Sequence, residues 1–186
     1  MAEHYPTGVE PDDSLQGRVL IAHPRLDSSR WARTVVFIFE HNQLGAQGVV
    51  INNPSEIPLY EAFDRNEAAA LTQNTIYIGG PKNPRGAYLL HSAEWSSSNT
   101  RYINDRYAIS SDGTMIERMS MLGEPAYWKM CVGAASWDTG QLEDEIDQGI
   151  WLTCDAVDSI VFGCNGLGQW KHAIEHHSAS VFAQYI

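Results

Sequence analysis

Short runs of β-branched and apolar residues recur along this chain, with turn residues or single helical segments between them. Residues 17–23 (GRVLIAH), 33–39 (RTVVFIF) and 127–134 (YWKMCVGA) have the composition that is typical of strands. The strands come in groups, and the pattern lacks the regular strand–helix alternation that builds a doubly wound parallel sheet. The sequence therefore predicts an α+β fold.

The remaining elements are predicted from residue spacing and turn residues. Helical spacing of apolar residues predicts helices at residues 59–71 and 115–122. Thr139 as a cap and Gly149 as a stop predict an acidic helix at 141–148, and residues 169–177 are predicted to form the last helix. Short apolar runs predict further strands at residues 48–51, 75–78, 87–91, 150–154 and 159–162, with a hairpin at 101–110. Residues 54–58 begin and end with proline, and we expect them to break the strand before them.

A single domain is expected for most of the chain. The protein has 186 residues, and domains commonly contain about 100–200. Residues 1–14 are polar and are predicted to form a flexible tail, whereas residues 15–186 are predicted to form one domain. The N-terminus has no basic region followed by an apolar run, so we expect no signal peptide. We also find no stretch of about 18 apolar residues that would span a membrane.

The charge balance limits the partners that the protein can bind. Twelve Lys and Arg residues stand against 23 Asp and Glu residues, which gives a formal net charge of −11. Nucleic acids and anionic membranes bind clustered cations, and the sequence has no run of Lys or Arg. We therefore expect no direct contact with nucleic acid or membrane. Cationic partners, metal ions or basic protein faces are expected instead.

The three cysteines, Cys131, Cys154 and Cys164, are widely spaced and odd in number. They indicate neither a disulfide framework nor a C-x-x-C pair for zinc or redox chemistry. Reduced, buried thiols are typical of a reducing compartment, so the sequence predicts a cytoplasmic protein.

Several short motifs occur in order along the chain. They are L-I-A-H-P at residues 20–24, E-H-N at 40–42, G-V-V-I-N-N-P at 48–54, G-G-P at 79–81, L-L-H at 89–91, G-A-A-S-W-D-T-G-Q-L-E-D-E at 133–145 and W-L at 151–152. Together they resemble the AlgH/YqgE family, whose members are mostly uncharacterised. The resemblance implies a compact fold with a bifurcated, mostly antiparallel sheet around a small barrel and flanking helices. It also implies, loosely, the transcriptional-regulator label that some members carry.

Glu40, His41 and Asn42 end a predicted strand and enter a glycine-containing turn. One hypothesis makes His41 a general base that Glu40 orients. The alternative is turn chemistry, in which Asn42 bonds backbone groups. Neighbouring side chains on a strand point to opposite faces, so the turn role is favoured.

Two glycine-rich segments are candidates for anion binding through backbone N–H groups. Gly79-Gly80-Pro81 follows a predicted strand, but no G-K-[ST] sequence follows it, so we expect a tight turn. Residues 163–168 (GCNGLG) lie between a predicted strand and a predicted helix and superficially resemble a phosphate loop. Their glycine order is the reverse of the dinucleotide fingerprint, which favours a flexible connector.

Residues 172–176 fit the pattern H-x-x-E-H. On a helix, His172 and His176 would share one face as zinc ligands do, and Glu175 would be the base of a metal-assisted hydrolase. A third ligand would have to come from earlier in the chain. The pattern is short enough to arise by chance, so we predict no catalytic residue, cofactor or bound metal.

Residues 137–145 (WDTGQLEDE) are the preferred functional segment. Acidic residues in the first turn of a helix complement its dipole, which is a structural explanation. A helix N-terminus beside a tryptophan and several carboxylates is also a plausible contact surface. Both interpretations stay open, although a core role is favoured for Trp137 itself.

The candidate functional surface predicted from the sequence comprises Glu40, His41, Asn42, Asn52, Gly79, Gly80, Pro81, His91, Trp137, Gln141 and Glu143. The preferred hypothesis is a non-enzymatic binding or regulatory protein that acts through contacts with an unidentified protein partner. One alternative is a small-molecule-binding protein or metal-assisted hydrolase that uses His41, His91 or the His172/His176 pair. Another is a transcription-related regulator that acts indirectly rather than by binding DNA.

Overall fold

The computed structural model describes residues 14–63 and 65–186. The strands are β1 (Arg18–Ala22), β2 (Val35–Asn42), β3 (Gly45–Val50), β4 (Pro54–Pro58), β5 (Thr75–Ile78), β6 (Lys82–Ser92), β7 (Arg101–Tyr102), β8 (Tyr107–Ser110), β9 (Trp128–Trp137) and β10 (Trp151–Asp155). The helices are α1 (Leu59–Ala62), α2 (Arg65–Ala68), α3 (Met115–Leu122), α4 (Gln141–Asp147), α5 (Asp158–Val161) and α6 (Gly166–Ala183). The predicted tail, residues 1–14, lies outside the described residues except for Ser14.

The strands form one sheet that divides at β9. The main order is β10-β1-β2-β3-β9-β6-β8-β7, and β5 and β4 branch from it. One edge of β9 pairs with β6, while the other edge is shared, because residues 135–137 pair with β3 and residues 130–132 pair with β5. The β5–β9 pair is parallel and the other described pairs are antiparallel. The predicted α+β fold with a bifurcated, mostly antiparallel sheet is confirmed.

Three glycines allow the two branches to separate at β9. The Gly79 N–H donates to Val132 O at 2.8 Å, and Gly79 O accepts the Val50 N–H at 2.8 Å, so Gly79 bonds both branches. A Cβ atom on Gly80 would collide with Ala134 O, and one on Gly133 would collide with Gly80 O. Both residues also have positive φ, at 143° and 77°, where glycine is favoured. The G-G-P segment is therefore the branch point of the sheet as well as the turn into β6.

Three clusters of apolar side chains make up the core. One lies between the sheet and α5 and α6, a second lies under α4, and a third lies under α1, α2 and α3. Representative buried members are Phe37, Tyr107 and Ala173 in the first cluster, Leu20, Leu142 and Trp151 in the second, and Leu59, Met119 and Met130 in the third. Helix α6 packs against β10, β1 and β2.

Some element predictions were wrong. Residues 159–162 were predicted as a strand, but residues 159–161 belong to α5 and Phe162 caps its C-terminus; the Ile160 and Val161 N–H groups both donate to Val157 O. A short apolar run does not distinguish a buried strand from a buried helical turn. The predicted helix at 59–71 is divided into α1 and α2, and residues 54–58, predicted as a break, form β4.

Strand β4 has prolines at both of the positions that pair with β5. The adjacent residues make the hydrogen bonds to that side, since Asn53 O accepts the Ile78 N–H and the Leu59 N–H donates to Asn74 O, both at 2.8–2.9 Å. Backbone groups alternate in direction along a strand, so the nitrogens of Pro54 and Pro58 face away from β5. The outer edge of β4 therefore lacks amide donors at these two positions.

Within residues 14–63 and 65–186, no helix is both long enough and apolar enough to cross a membrane.

Candidate functional site

His41 lies at the end of β2 with both ring nitrogens bonded. Its Nδ1 accepts the Leu15 N–H at 2.8 Å, so the proton of the neutral ring is on Nε2, which donates to Glu143 Oε1 at 2.7 Å. Glu40 makes its contacts elsewhere, with Asn42 and Arg101. The structure therefore joins His41 to Glu143, two residues of the predicted surface, and does not give the Glu40–His41 pair that a general base would use.

Asn42 has the turn role that the sequence favours. Its Oδ1 accepts the Leu44 N–H at 2.8 Å in the connection between β2 and β3. Gly45 follows with φ of 125°, a conformation that suits glycine.

His91 is completely buried and belongs to an ordered chain of hydrogen bonds. Its Nδ1–H donates to Ser92 O at 2.9 Å, so Nε2 accepts the Ser110 hydroxyl at 2.9 Å. Ser110 Oγ then accepts the hydroxyl of Thr100 at 2.6 Å. Burial lowers the pKa of His91, which favours the neutral ring that this pattern requires. These bonds link β6, β8 and the loop before β7.

Asn52 connects three segments. Its Oδ1 accepts the Val35 N–H at 2.8 Å, and its Nδ2 donates to Arg33 O and Gly166 O at 2.8 and 3.1 Å. The Gly166 N–H returns a bond to Asn52 O at 3.0 Å. Asn52 therefore ties the start of β2 to the start of α6.

The segment at residues 137–145 folds back onto the core. Glu145 Oε2 accepts the indole N–H groups of Trp137 at 2.9 Å and Trp151 at 2.7 Å, and Oε1 accepts Gln141 Nε2 at 2.9 Å. The rings of Trp137 and Trp151 meet edge to face at 6.0 Å, and Trp137 is 6% exposed. Trp137, Gln141 and Glu145 thus form a structural network, and with the Glu143–His41 bond they attach α4 to the sheet.

The H-x-x-E-H residues lie on α6, as expected. His172 Nε2 is 3.3 Å from Ser159 Oγ, and the neighbouring His177 donates from Nδ1 to Thr153 O at 2.7 Å. In the part of the chain that the structure describes, no group of three or more His, Cys, Asp or Glu residues is arranged to hold a metal ion.

Lys129 is a buried cation that the sequence analysis did not single out. Its Nζ donates to Ile51 O at 2.8 Å, Cys164 O at 2.9 Å and Gln169 Oε1 at 3.0 Å, and it lies 4.4 Å from the centre of the Tyr77 ring. Burial lowers its pKa from 10.5 to about 8. The one signal in the sequence is a lysine inside the otherwise apolar run at 127–134.

Two adjoining pockets open on the surface around Glu40 and Gln47. The first, which we call the hairpin pocket, has a volume of about 180 Å³ and is lined by residues that include Asn42, Lys82, Trp137 and Asp138. The second, which we call the mouth pocket, has a volume of about 340 Å³ and is lined by residues that include Phe39, Tyr88, Asn99 and Arg101. Glu40 and Gln47 line both pockets, so the two pockets lie side by side, and we call the pair of them the groove.

The mouth pocket lies where the curled sheet brings β7 back to β2. These strands are five places apart in the strand order, yet Arg101 Nη1 on β7 lies 3.0 Å from Glu40 Oε2 on β2. Asn42 Nδ2 donates to the other oxygen of Glu40 at 3.0 Å. The Arg101 guanidinium lies 5.2 Å from the centre of the Phe39 ring, and that ring stacks on Tyr88 at 5.8 Å.

The predicted surface is therefore divided among several places. Glu40, Asn42 and Trp137 line the hairpin pocket. Gly80 and Pro81 line a separate cleft with Trp31 and Arg30, and Asn52 lines the adjoining part of that cleft. His91 is buried away from all of these pockets. Arg101 and Gln47, which the sequence analysis did not select, contribute to the groove.

The sequence of this chain matches a known protein family and individual members of it. The AlgH-like family model matches residues 19–181. The chain is 34% identical over 165 residues to a UPF0301 protein of Shewanella denitrificans, an alignment that covers 87% of this chain and 90% of that protein. It is 32% identical over 154 residues to a UPF0301 protein of a Marinomonas species, covering 81% and 82%.

Two solved structures resemble the fold. The solution structure of AlgH from Pseudomonas aeruginosa superposes with a TM-score of 0.72 at 31% identity, covering 95% of this chain and 92% of that one. The crystal structure of a Corynebacterium diphtheriae protein superposes with a TM-score of 0.71 at 24% identity, covering 92% and 87%. The second likeness concerns the fold alone.

Proposed function

This chain belongs to the AlgH-like family, and from that premise we propose that it is a non-enzymatic binding or regulatory protein that acts through contacts with a protein partner. A role in transcription would then be indirect, since a net charge of −11 opposes binding to DNA.

The observation that carries the proposal is the contrast between the predicted acid–base residues and the groove. His41 and His91 use both ring nitrogens in bonds that hold elements together. The two pockets of the groove open to solvent, and their lining includes the charged residues Glu40, Asp138, Lys82 and Arg101. Side chains of both signs around a partly aromatic floor suit recognition of a protein surface.

A pair of charge-reversal variants tests whether the groove is the binding face. Asp138 is exposed and lines the hairpin pocket, whereas Glu117 is exposed in the first turn of α3, outside the lining of both groove pockets. Immobilised wild-type protein and the D138K and E117K variants would be incubated with nuclease-treated lysate of the native host, cross-linked and analysed by mass spectrometry. We expect one partner to be recovered with wild-type and E117K protein and lost with D138K, because the added cation repels a basic partner.

The controls separate binding from folding. Both carboxylates are exposed, so the two variants should have similar unfolding midpoints. Cross-links from the partner should fall on residues that line the groove. Equal recovery by D138K and wild-type protein would exclude the groove as the contact face. Recovery of no partner by any of the three proteins would contradict the proposed function.

A small-molecule-binding protein is the second candidate, because the mouth pocket of about 340 Å³ lies within the size range of ligand sites, roughly 300–1,000 Å³. The metal-assisted form of this hypothesis is tested by measuring zinc in protein purified without a histidine tag. Stoichiometric zinc would support it, and substoichiometric zinc would remove it.

A further inference from the structure

The two charged residues in the mouth pocket differ in how firmly they are held. Glu40 lies on β2, where it pairs with Gln47 of the six-residue strand β3, and its carboxylate also accepts the Asn42 side chain. Arg101 lies on β7, a strand of two residues at the outer end of the sheet, and its side chain is 50% exposed against 30% for Glu40. Moving the Arg101 side chain away from the pocket therefore breaks fewer contacts than moving the Glu40 side chain would.

The Arg101 guanidinium lies between a carboxylate and the face of an aromatic ring, a combination that suits the binding of a guanidinium group. A carboxylate lies 3.0 Å from Nη1, and the face of Phe39 lies 5.2 Å from Cζ. Stacking with Tyr88 holds the Phe39 ring in place. A fixed carboxylate next to an aromatic face favours a planar, weakly hydrated cation, and arginine meets both conditions better than lysine does. These groups keep their positions if Arg101 turns outward into solvent.

The charge of the whole protein favours an incoming cation over an anion. The net charge of −11 attracts basic segments at long range. An anionic ligand on Arg101 would have to approach an acidic protein and would leave Glu40 without its ion pair. A cationic ligand on Glu40 replaces that ion pair with a new one, and Arg101, which is already half exposed, moves into solvent.

We propose that the mouth pocket binds an arginine side chain from a basic segment of a protein partner, and that Arg101 occupies this position when no partner is bound. The inference rests on the proposed protein-binding function and adds the chemistry of the partner. Arg101 is then an internal competitor, so its removal strengthens binding.

The test uses purified protein and small probes, so that it does not depend on finding the partner. N-acetyl-arginine amide is titrated into wild-type protein and into the R101A and E40Q variants, and binding is followed by NMR shifts of Phe39 and Tyr88. N-acetyl-citrulline amide is the neutral probe of nearly the same shape, and N-acetyl-lysine amide is the non-planar cation. R18A removes another ion-paired arginine, Arg18, whose partner is Asp155.

We expect R101A to bind the arginine probe about tenfold more tightly than wild-type protein. In the wild type the probe must first displace the ion pair and the cation–π contact of Arg101, and the free energy of these two contacts sets the size of the difference. R18A should match the wild type, and E40Q should lose binding while retaining its fold. The lysine probe should bind more weakly and the citrulline probe not at all. The inference is overturned if R101A binds no better than R18A, or if citrulline binds as well as arginine.

The outcomes for the two proposals are distinguishable. A partner that D138K loses, together with no binding of the arginine probe to R101A, supports the protein-binding function and overturns the arginine site. Binding of the arginine probe without any recoverable partner supports the site and contradicts the protein-binding function.

Discussion

Lys129 carries its charge inside the protein without a carboxylate bonded to it. The residue is only 3% exposed, and the three N–H groups of its ammonium donate to two backbone carbonyls and one amide oxygen. Cys164 O and Gln169 lie next to and within the first turn of α6. The lysine therefore fixes the start of α6 to the middle of the sheet, at the cost of removing a cation from water.

Lys129 is expected to make the unfolding free energy of the protein depend on pH in the alkaline range. Its pKa is near 10.5 in the unfolded chain and about 8 in the folded protein because of burial. Between these values the unfolded state binds more protons, so the folded state gains stability as pH rises from about 8 to 10.5. The gain is on the order of 3 kcal/mol.

Urea unfolding of K129M and wild-type protein across this pH range checks the prediction. The difference in unfolding free energy should shift in favour of the wild type as pH rises, because the variant lacks the titrating group. Lys171→Met removes an exposed lysine and should follow the wild type throughout. A constant difference between K129M and wild type would show that Lys129 does not titrate in this range.

At the residue scale, sequence reasoning predicted chemical roles better than positions. Asn42 makes the turn bond that its type favours, and Trp137 is in the core as preferred. The pairing of His41 with Glu143 joins residues 102 positions apart, and no local pattern indicates such a contact. Arg101 was not selected because its importance depends on the curl of the sheet, which brings it to Glu40.

The branch point of the sheet is the part of the fold where we expect substitutions to be tolerated least. Two backbone segments pass each other at Gly80 and Gly133 with no room for a side chain. Positive φ at both glycines adds a second reason for the absence of a Cβ atom. The close approach and the backbone conformation therefore both require glycine.

Substitution with alanine separates the two effects. Gly140 also has positive φ, at 74°, but a Cβ there would meet nothing within 4 Å. Gly140→Ala should therefore cost only the conformational strain, about 1 kcal/mol. Gly133→Ala should cost on the order of 4 kcal/mol or prevent folding, because Gly133 has nearly the same φ, 77°, but its Cβ would collide with Gly80 O.

Urea midpoints and soluble yield measure both variants against the wild type. Similar midpoints for the two variants would mean that the backbone at β9 moves apart easily, which would contradict the close approach described for the branch point.

At the element scale, regular strands were predictable and their pairing was not. The strands at 17–23 and 33–39 follow from composition and correspond to β1 and β2. The branched pairing of β9 was expected only from the family resemblance, because strand composition does not reveal which strand lies beside which. Ile160 and Val161 misled the prediction because buried apolar residues suit a helical turn as well as a strand.

The charge of the whole molecule predicts how it responds to nucleic acid and to salt. With a net charge of −11, the protein should not change the fluorescence anisotropy of a labelled random-sequence DNA duplex, even at low ionic strength. Binding of the N-acetyl-arginine probe to R101A should weaken as salt is added, because ions screen the attraction. A salt-sensitive rise in anisotropy with DNA would contradict this prediction and favour direct DNA binding.

The prolines of β4 have a consequence for the protein at high concentration. An exposed sheet edge is a template on which strands of other molecules can pair and begin aggregation. On the outer edge of β4, an incoming strand would meet two positions, Pro54 and Pro58, that cannot donate a hydrogen bond. The branch that widens the sheet thus ends in a strand whose outer edge is a poor template for a strand of another copy at these two positions.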